Sequence, residues 1–180
     1  MPRSKLVGLL FEAWKDMDRV LADLDPEEAV RRLGGGSSIA WTAAHVANQV
    51  DAWISVRFQR RSAHDLIGQT RLRVGGTGAA GDWQAIQAGI QEVRDAARAY
   101  LERLNDSDLD LALPYDGSLS HLRESGLSLR YALLRICAHH YYHIGEIATK
   151  RSALGQRVGD YRVSSLHVYE SGTAALSLVS

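Results

Sequence analysis

Three side chains near the end of this sequence have the types and spacing of a small reactive site. His139 and His143 are four residues apart, so on a helix they share one face with about 5–6 Å between their Cβ atoms. Glu146 follows His139 by seven residues and points within about 20° of the same direction. This spacing allows two imidazoles to reach one metal ion, with a carboxylate beside them.

A third histidine strengthens this interpretation. Seven histidines place a pair four residues apart in about one random chain of this length in four, so the pair alone is weak evidence. His45, however, lies in the middle of another apolar helical segment, residues 38–46. A polar imidazole is costly there unless it has a partner. We therefore predict that His45, His139 and His143 bind a metal together.

The residues alone leave alternatives open. His140 is three residues before His143, and that spacing also permits joint ligation, although His140 points about 100° away from His139. His45 alone would more often be a hydrogen-bonded core histidine. Asn48 and Gln49, about one turn beyond His45, are candidates for orienting the ligands.

Three neutral imidazoles would leave one coordination position open on zinc or nickel, as catalytic sites require. An open position can take water or a thiol, and the metal lowers the pKa of either group. Thiol transfer and hydrolysis are therefore both accessible. We expect Glu146 to orient a ligand histidine, receive a proton or occupy the fourth position.

The elements that must position these residues are helices. Apolar residues recur every three or four positions in four long segments, which predicts amphipathic helices. We place these helices at residues 4–24, 37–61, 82–104 and 125–154, with a short helix that starts at Asp25 and stops at Gly34. Ser37 or Ser38 is the predicted cap of the second long helix. Residues 62–81 are predicted to form a loop, and residues 109–124 an irregular crossing.

Four amphipathic helices predict an all-α four-helix bundle, because each apolar stripe must be buried against another. The loop 62–81 can span about 65 Å, whereas the helix before it is only about 36 Å long. This loop can therefore return along the whole bundle, so that the second and third helices run parallel. In such a bundle the second helix supplies His45 and the fourth supplies His139 and His143.

Length and composition indicate the number of domains, the class of partner and the cellular compartment to expect. The 180 residues fit a single domain, 1–180, whose tail 156–180 we expect to be partly irregular. The 21 basic and 21 acidic residues give no reason to expect nucleic acid or an anionic membrane as a partner. Cys137 is the lone cysteine, and the N-terminal apolar run is interrupted at once by charges, so we expect an uncleaved cytoplasmic protein.

Two segments carry a resemblance to a known family. Residues 41–46, followed by Trp53, and residues 139–147 resemble the DinB-like family of damage-inducible metalloproteins, and the similarity covers most of the chain. The resemblance implies an up-down-down-up bundle. In that family one histidine of the second helix and an HxxxH pair of the last helix bind a divalent metal. The matching ligands here would be His45, His139 and His143, followed by the family's HxGE sequence, which ends at Glu146.

The resemblance also implies a range of activities. Relatives include thiol S-transferases that use bacillithiol and a mycothiol-dependent maleylpyruvate isomerase. We therefore expect an enzyme that depends on zinc or nickel and on a low-molecular-weight thiol, and that acts on a small-molecule electrophile, with Glu146 as the catalytic candidate. A metal-dependent hydrolase is the less favoured chemistry. We expect the protein to be a homodimer. The alternative function is a non-catalytic bundle, with or without metal, that acts as a structural homodimer.

Overall fold

The computed structural model describes residues 4–159; residues 160–180, which hold most of the predicted irregular tail, lie outside this range. The helices are α1 (Lys5–Leu21), α2 (Pro26–Val30), α3 (Ile39–Val50), α4 (Trp83–Leu101), α5 (Leu122–Ser125) and α6 (Leu129–Ala153). Helix α3 continues directly into π-helical turns at Asp51–Phe58, and 3-10 turns lie at Thr70–Leu72 and Ser107–Asp110. Strands β1 (Ala112–Leu113) and β2 (Leu127–Ser128) pair antiparallel. The all-α prediction is confirmed.

Side-chain contacts show that α1 and α6 run in the same direction. Ser4, just before α1, donates a hydrogen bond to Asp106, and Arg130 in the first turn of α6 binds the same carboxylate at 3.1 Å. At the opposite end, Arg151 in the last turn of α6 donates to the backbone carbonyl of Val20 at 3.0 Å. The starts of the two helices therefore lie together, and so do their ends.

Helices α3 and α4 run the other way. Ser37, just before α3, contacts Glu146 in the second half of α6, which makes α3 antiparallel to α6. In α4, Arg98 lies over the ring of Phe11, while the earlier Arg94 pairs with the later Asp18 of α1. Helix α4 is therefore antiparallel to α1. These directions confirm the up-down-down-up topology, with the long connection after α3 returning along the bundle.

Several helix boundaries differ from the prediction; α4, for example, ends at Leu101 rather than at Leu104. Helix α6 begins at Leu129 rather than at Ser125, because Gly126 has a φ of +78° and Leu127–Ser128 pairs with the earlier strand. Helix α1 ends at Leu21 rather than at Leu24. Arg151 binds the carbonyls of Val20 and Ala22 there, so the end of the helix is satisfied by a distant side chain.

The second long helix is not uniform, although the sequence predicted one continuous α-helix to Arg61. From Asp51 to Phe58 its turns are π-helical, as shown by the bond from the Gln59 N–H to the carbonyl of Ile54. Within these turns the buried residues are Asp51, Ile54 and Ser55.

Buried apolar side chains from α1, α3, α4 and α6 form one cluster in the described part of the chain. Within residues 4–159, none of the helices has both the length and the apolar character needed to cross a bilayer.

Candidate metal centre

The structure brings the rings of His45, His139 and His143 together. The Nε2 atom of His139 lies 3.1 Å from Nε2 of His45 and 3.1 Å from Nε2 of His143. One nitrogen from each ring falls within 4.8 Å of those of the other two. Three imidazoles on one tetrahedral zinc ion would hold their nitrogens about 3.3 Å apart. The cluster therefore has nearly the dimensions of a three-histidine site.

Hydrogen bonds on the outer side of the cluster determine which nitrogens face inward. The Nδ1 atom of His45 is 2.7 Å from the carbonyl of Leu72, and Nδ1 of His143 is 2.6 Å from a carboxylate oxygen of Glu146. Both Nδ1 atoms must donate to these oxygens, so in the neutral rings both Nε2 atoms carry lone pairs. Two lone pairs thus point at the same Nε2 of His139. This arrangement is compatible with a divalent metal.

Helix α3 positions His45 with the help of the connection that follows it. The Trp41 ring, one turn earlier, stacks on His45 with ring centroids 4.9 Å apart and planes 6° apart. The indole N–H of Trp41 donates to the carbonyl of Arg71 at 2.9 Å, next to the Leu72 carbonyl that binds His45. The 3-10 turn Thr70–Leu72 is therefore bound to both rings, and it fixes the orientation of the imidazole.

Glu146 orients His143 and is itself held by a polar network. Its second carboxylate oxygen accepts hydrogen bonds from Lys150, from Ser37 at 3.2 Å and from Thr42 at 3.3 Å. Burial raises the pKa of Glu146, but the hydrogen bonds from Lys150 and His143 outweigh burial and bring this pKa down to about 2. Glu146 is thus an ionised acceptor near neutral pH, with both oxygens already bound to neighbouring side chains.

The electrostatics of the cluster favour neutral imidazoles. Burial, together with the nearby His143 and His45, lowers the pKa of His139 to about 3. Burial also lowers the pKa of His143, although the hydrogen bond to Glu146 opposes this effect. Neutral imidazole is the form that binds a metal, so these rings are ready for ligation at neutral pH.

His140, the alternative ligand, does not join the cluster. Its ring is 1% exposed, and its Nδ1 atom is 2.8 Å from the carbonyl of Ile136 in the preceding turn. Burial, with the nearby charge of Arg94, lowers its pKa to about 3 despite that hydrogen bond. His140 is a buried core histidine on the other side of α6.

A cleft of about 1440 Å³ gives access to the cluster. His45 and His139 line it, together with Trp53 from the π-helical turns and residues of the β1 and α5 region. Val74, which is 89% exposed, lies on the same cleft, so the cavity reaches the surface. A guest could therefore approach His45 and His139 from solvent.

The two proposed orienting residues, Asn48 and Gln49, lie on this cleft but make no hydrogen bond to the histidines. Asn48 instead donates to the carbonyl of Ile67 at 2.6 Å, which holds the long connection against α3. Lys150 was not predicted, although its position four residues after Glu146 favours contact on a helix. The Leu72 carbonyl was not predicted either, because no residue pattern marks it.

Comparison with known proteins agrees with this architecture. Residues 9–147 match the family described as the DinB superfamily. The chain belongs to the DinB superfamily. A crystal structure described as a conserved protein from Enterococcus faecalis is similar to it with a TM-score of 0.64 and 14% sequence identity, over 87% of this chain and 100% of the other. No curated protein matches significantly. The family and the fold are thus established.

Proposed function

We propose that this DinB superfamily protein is a divalent-metal-dependent thiol S-transferase, or a related thiol-dependent isomerase, that acts on a small electrophile. His45, His139 and His143 would bind the metal, with zinc or nickel preferred by imidazole ligands. The observation that carries the proposal is the convergence of the three rings, in which Nε2 of His139 lies 3.1 Å from Nε2 of both His45 and His143, beside a cleft that His45 and His139 line and that reaches solvent.

The residues of the site have different roles in this proposal. A divalent metal bound here would supply a coordination position at which a thiol loses its proton. His45 and His143 are held in the ligating orientation by Leu72 and Glu146. Because Glu146 remains ionised and is bound through both oxygens, we assign it a positioning role rather than that of a proton carrier.

The proposed transfer balances without a further reactant. The thiol proton goes to solvent, the sulfur electron pair forms a bond to carbon of the electrophile, and the leaving group departs with the electrons of its own bond to that carbon. In the isomerase variant of the chemistry, the sulfur adds to a double bond and later leaves with the same electron pair. Neither route consumes an oxidant or a reductant.

The test combines metal analysis with a conjugation assay. Protein loaded with one equivalent of zinc or nickel should accelerate the reaction of a thiol such as 2-mercaptoethanol with 1-chloro-2,4-dinitrobenzene. His139→Ala should lose both the metal and the acceleration, whereas His64→Ala, a histidine outside the cluster, should retain both. Conjugation at the same rate after the metal is removed by a chelator would contradict the proposal.

An exposed apolar pair supports the second candidate, a structural homodimer. Leu134 and Tyr142 are 53% and 73% exposed, and the exposed Ala138 lies four residues from each of them on α6. A contiguous exposed apolar patch is typical of protein interfaces. Light scattering of the purified protein and of Leu134→Glu would test this: a dimer that becomes a monomer supports the interface, and a monomeric wild type contradicts it.

A further inference from the structure

The charged lining of the cleft is dominated by arginine. Five arginines line it against three acidic residues: Arg57, Arg60, Arg73, Arg123 and Arg135 against Asp51, Asp116 and Glu124. The whole chain, in contrast, has equal numbers of basic and acidic residues, 21 of each. Positive charge is therefore concentrated around the site.

Two of the three acidic residues are already occupied. Asp51 is buried and accepts the backbone N–H of His64 at 2.9 Å, and Asp116 pairs with Arg57 at 3.5 Å. Across residues 4–159, the side chains of Arg73 and Arg135 have neither a hydrogen bond nor an ion pair. Both residues are exposed, so their guanidinium groups are available to a guest.

These two arginines flank the metal centre from different elements. Arg73 directly follows Leu72, whose carbonyl binds His45. Arg135 is one helical turn before His139 on α6, and both residues line the cleft. A guest beside the histidines could therefore contact two unpaired arginines, Arg73 from the connection after α3 and Arg135 from α6.

We propose that Arg73 and Arg135 form a carboxylate-binding subsite of this cleft, so that the guest at the metal centre is a small molecule that carries a carboxylate. A guanidinium matches a carboxylate with two parallel hydrogen bonds, which a lysine ammonium cannot reproduce. The inference rests on the proposed function, which places the reaction at the histidine cluster. The carboxylate subsite itself requires binding and not turnover. The carboxylate belongs either to the thiol or to the electrophile.

Calorimetric titration of the zinc-loaded protein separates these two sources. The first arm compares 3-mercaptopropionate with 2-mercaptoethanol, and the second compares 4-chloro-3-nitrobenzoate with 1-chloro-2-nitrobenzene. In at least one arm the carboxylated compound should bind about tenfold more tightly than its neutral counterpart. That preference should nearly vanish in Arg73→Gln/Arg135→Gln and persist in Arg103→Gln, an exposed arginine outside the cleft.

A metal-free arm removes the attraction of the zinc charge itself. Glutarate titrated into the protein without metal should shift the NMR signals of the Arg73 and Arg135 side-chain Nε–H groups, and leave that of Arg103 in place. Loss of the preference in the double variant, together with these shifts, supports the subsite. A preference that survives in the double variant, or equal binding of both compounds in both arms, overturns it. Selective binding without any transfer activity contradicts the proposed function and leaves the subsite intact.

Discussion

At the residue scale, the orientation of each imidazole decides what the cluster can do. His45 and His143 each use Nδ1 for an outer hydrogen bond, to the Leu72 carbonyl and to Glu146, and keep Nε2 for the centre. Such outer partners hold the ring in place and raise the basicity of the ligating nitrogen. Substitution of an outer partner should therefore change metal affinity, as substitution of a ligand would.

The first prediction concerns Glu146→Gln. The amide is neutral and a weaker acceptor for the His143 N–H, so metal affinity should fall about 10- to 100-fold while the helical content stays the same. Glu92→Gln is the matched control, because Glu92 also accepts from a histidine, His64, at 3.0 Å, but outside the site. Competition with a chromophoric chelator measures both variants. Equal affinity of Glu146→Gln and the wild type would contradict the positioning role, and Glu146→Asp should recover part of the loss.

The second prediction concerns His140 and acid stability. Burial keeps the folded-state pKa of this residue at about 3, whereas an unfolded histidine titrates near 6.5. Between these values the unfolded chain binds the extra proton, so stability falls as the pH falls, by about 1.4 kcal/mol per pH unit for this group. Urea unfolding of metal-free protein should therefore show that His140→Leu loses about 1.6 kcal/mol less than the wild type from pH 6.5 to pH 5. Identical losses of stability in the two proteins would show that His140 does not contribute to destabilisation by acid.

The sequence predicted the juxtaposition of the three histidines and offered Glu146 as an orienting partner, but it did not predict the Leu72 carbonyl behind His45. The spacing of His139, His143 and Glu146 on one helix is a local property, so helical periodicity was sufficient to find it. The Leu72 carbonyl lies 27 residues after His45, in a connection without any periodic pattern. Any residue type has a backbone carbonyl, so no residue pattern distinguishes this one.

At the scale of elements, the turn Thr70–Leu72 connects the long connection after α3 to the three-histidine cluster through Trp41 and His45. Trp41→Phe keeps an aromatic ring on the imidazole but removes the hydrogen bond to Arg71, so we predict a several-fold loss of metal affinity. Trp14→Phe is the matched control, because its indole nitrogen has no hydrogen-bond partner within the described chain. Chelator competition measures both, and equal losses would contradict a specific role for the turn.

The helix boundaries show what periodicity can and cannot predict. The caps Asp25, Ser38 and Asp82 accept hydrogen bonds from the first turns of their helices, as their residue types suggest. The π-helical turns at Asp51–Phe58 were missed, because α and π turns place similar residues on their buried faces. The start of α6 was missed because Leu127–Ser128 pairs with a strand that is distant in sequence.

At the scale of the whole molecule, the bundle is held together by its apolar core. The buried cluster draws on all four long helices. The amphipathic pattern predicted this core, and the length of the loop 62–81 was compatible with the up-down-down-up topology. The arginine-lined cleft could not be predicted in this way, since it joins exposed residues from the π-helical turns, the loop 62–81, α5 and α6. Exposed positions leave no periodic signal.

The last prediction follows from this separation of core and site. The apolar core is built from residues other than the three clustered histidines, so removal of the metal should leave the bundle folded, unlike a small structural zinc domain, which unfolds. We expect His45→Ala, His139→Ala and His143→Ala each to lose stoichiometric metal while their far-UV circular dichroism stays unchanged, and the exposed His121→Ala to keep its metal. Elemental analysis and thermal unfolding, with and without a chelator, measure this. If chelation unfolds the wild type, the metal is a scaffold element, and the structural alternative gains the support that the catalytic proposal loses.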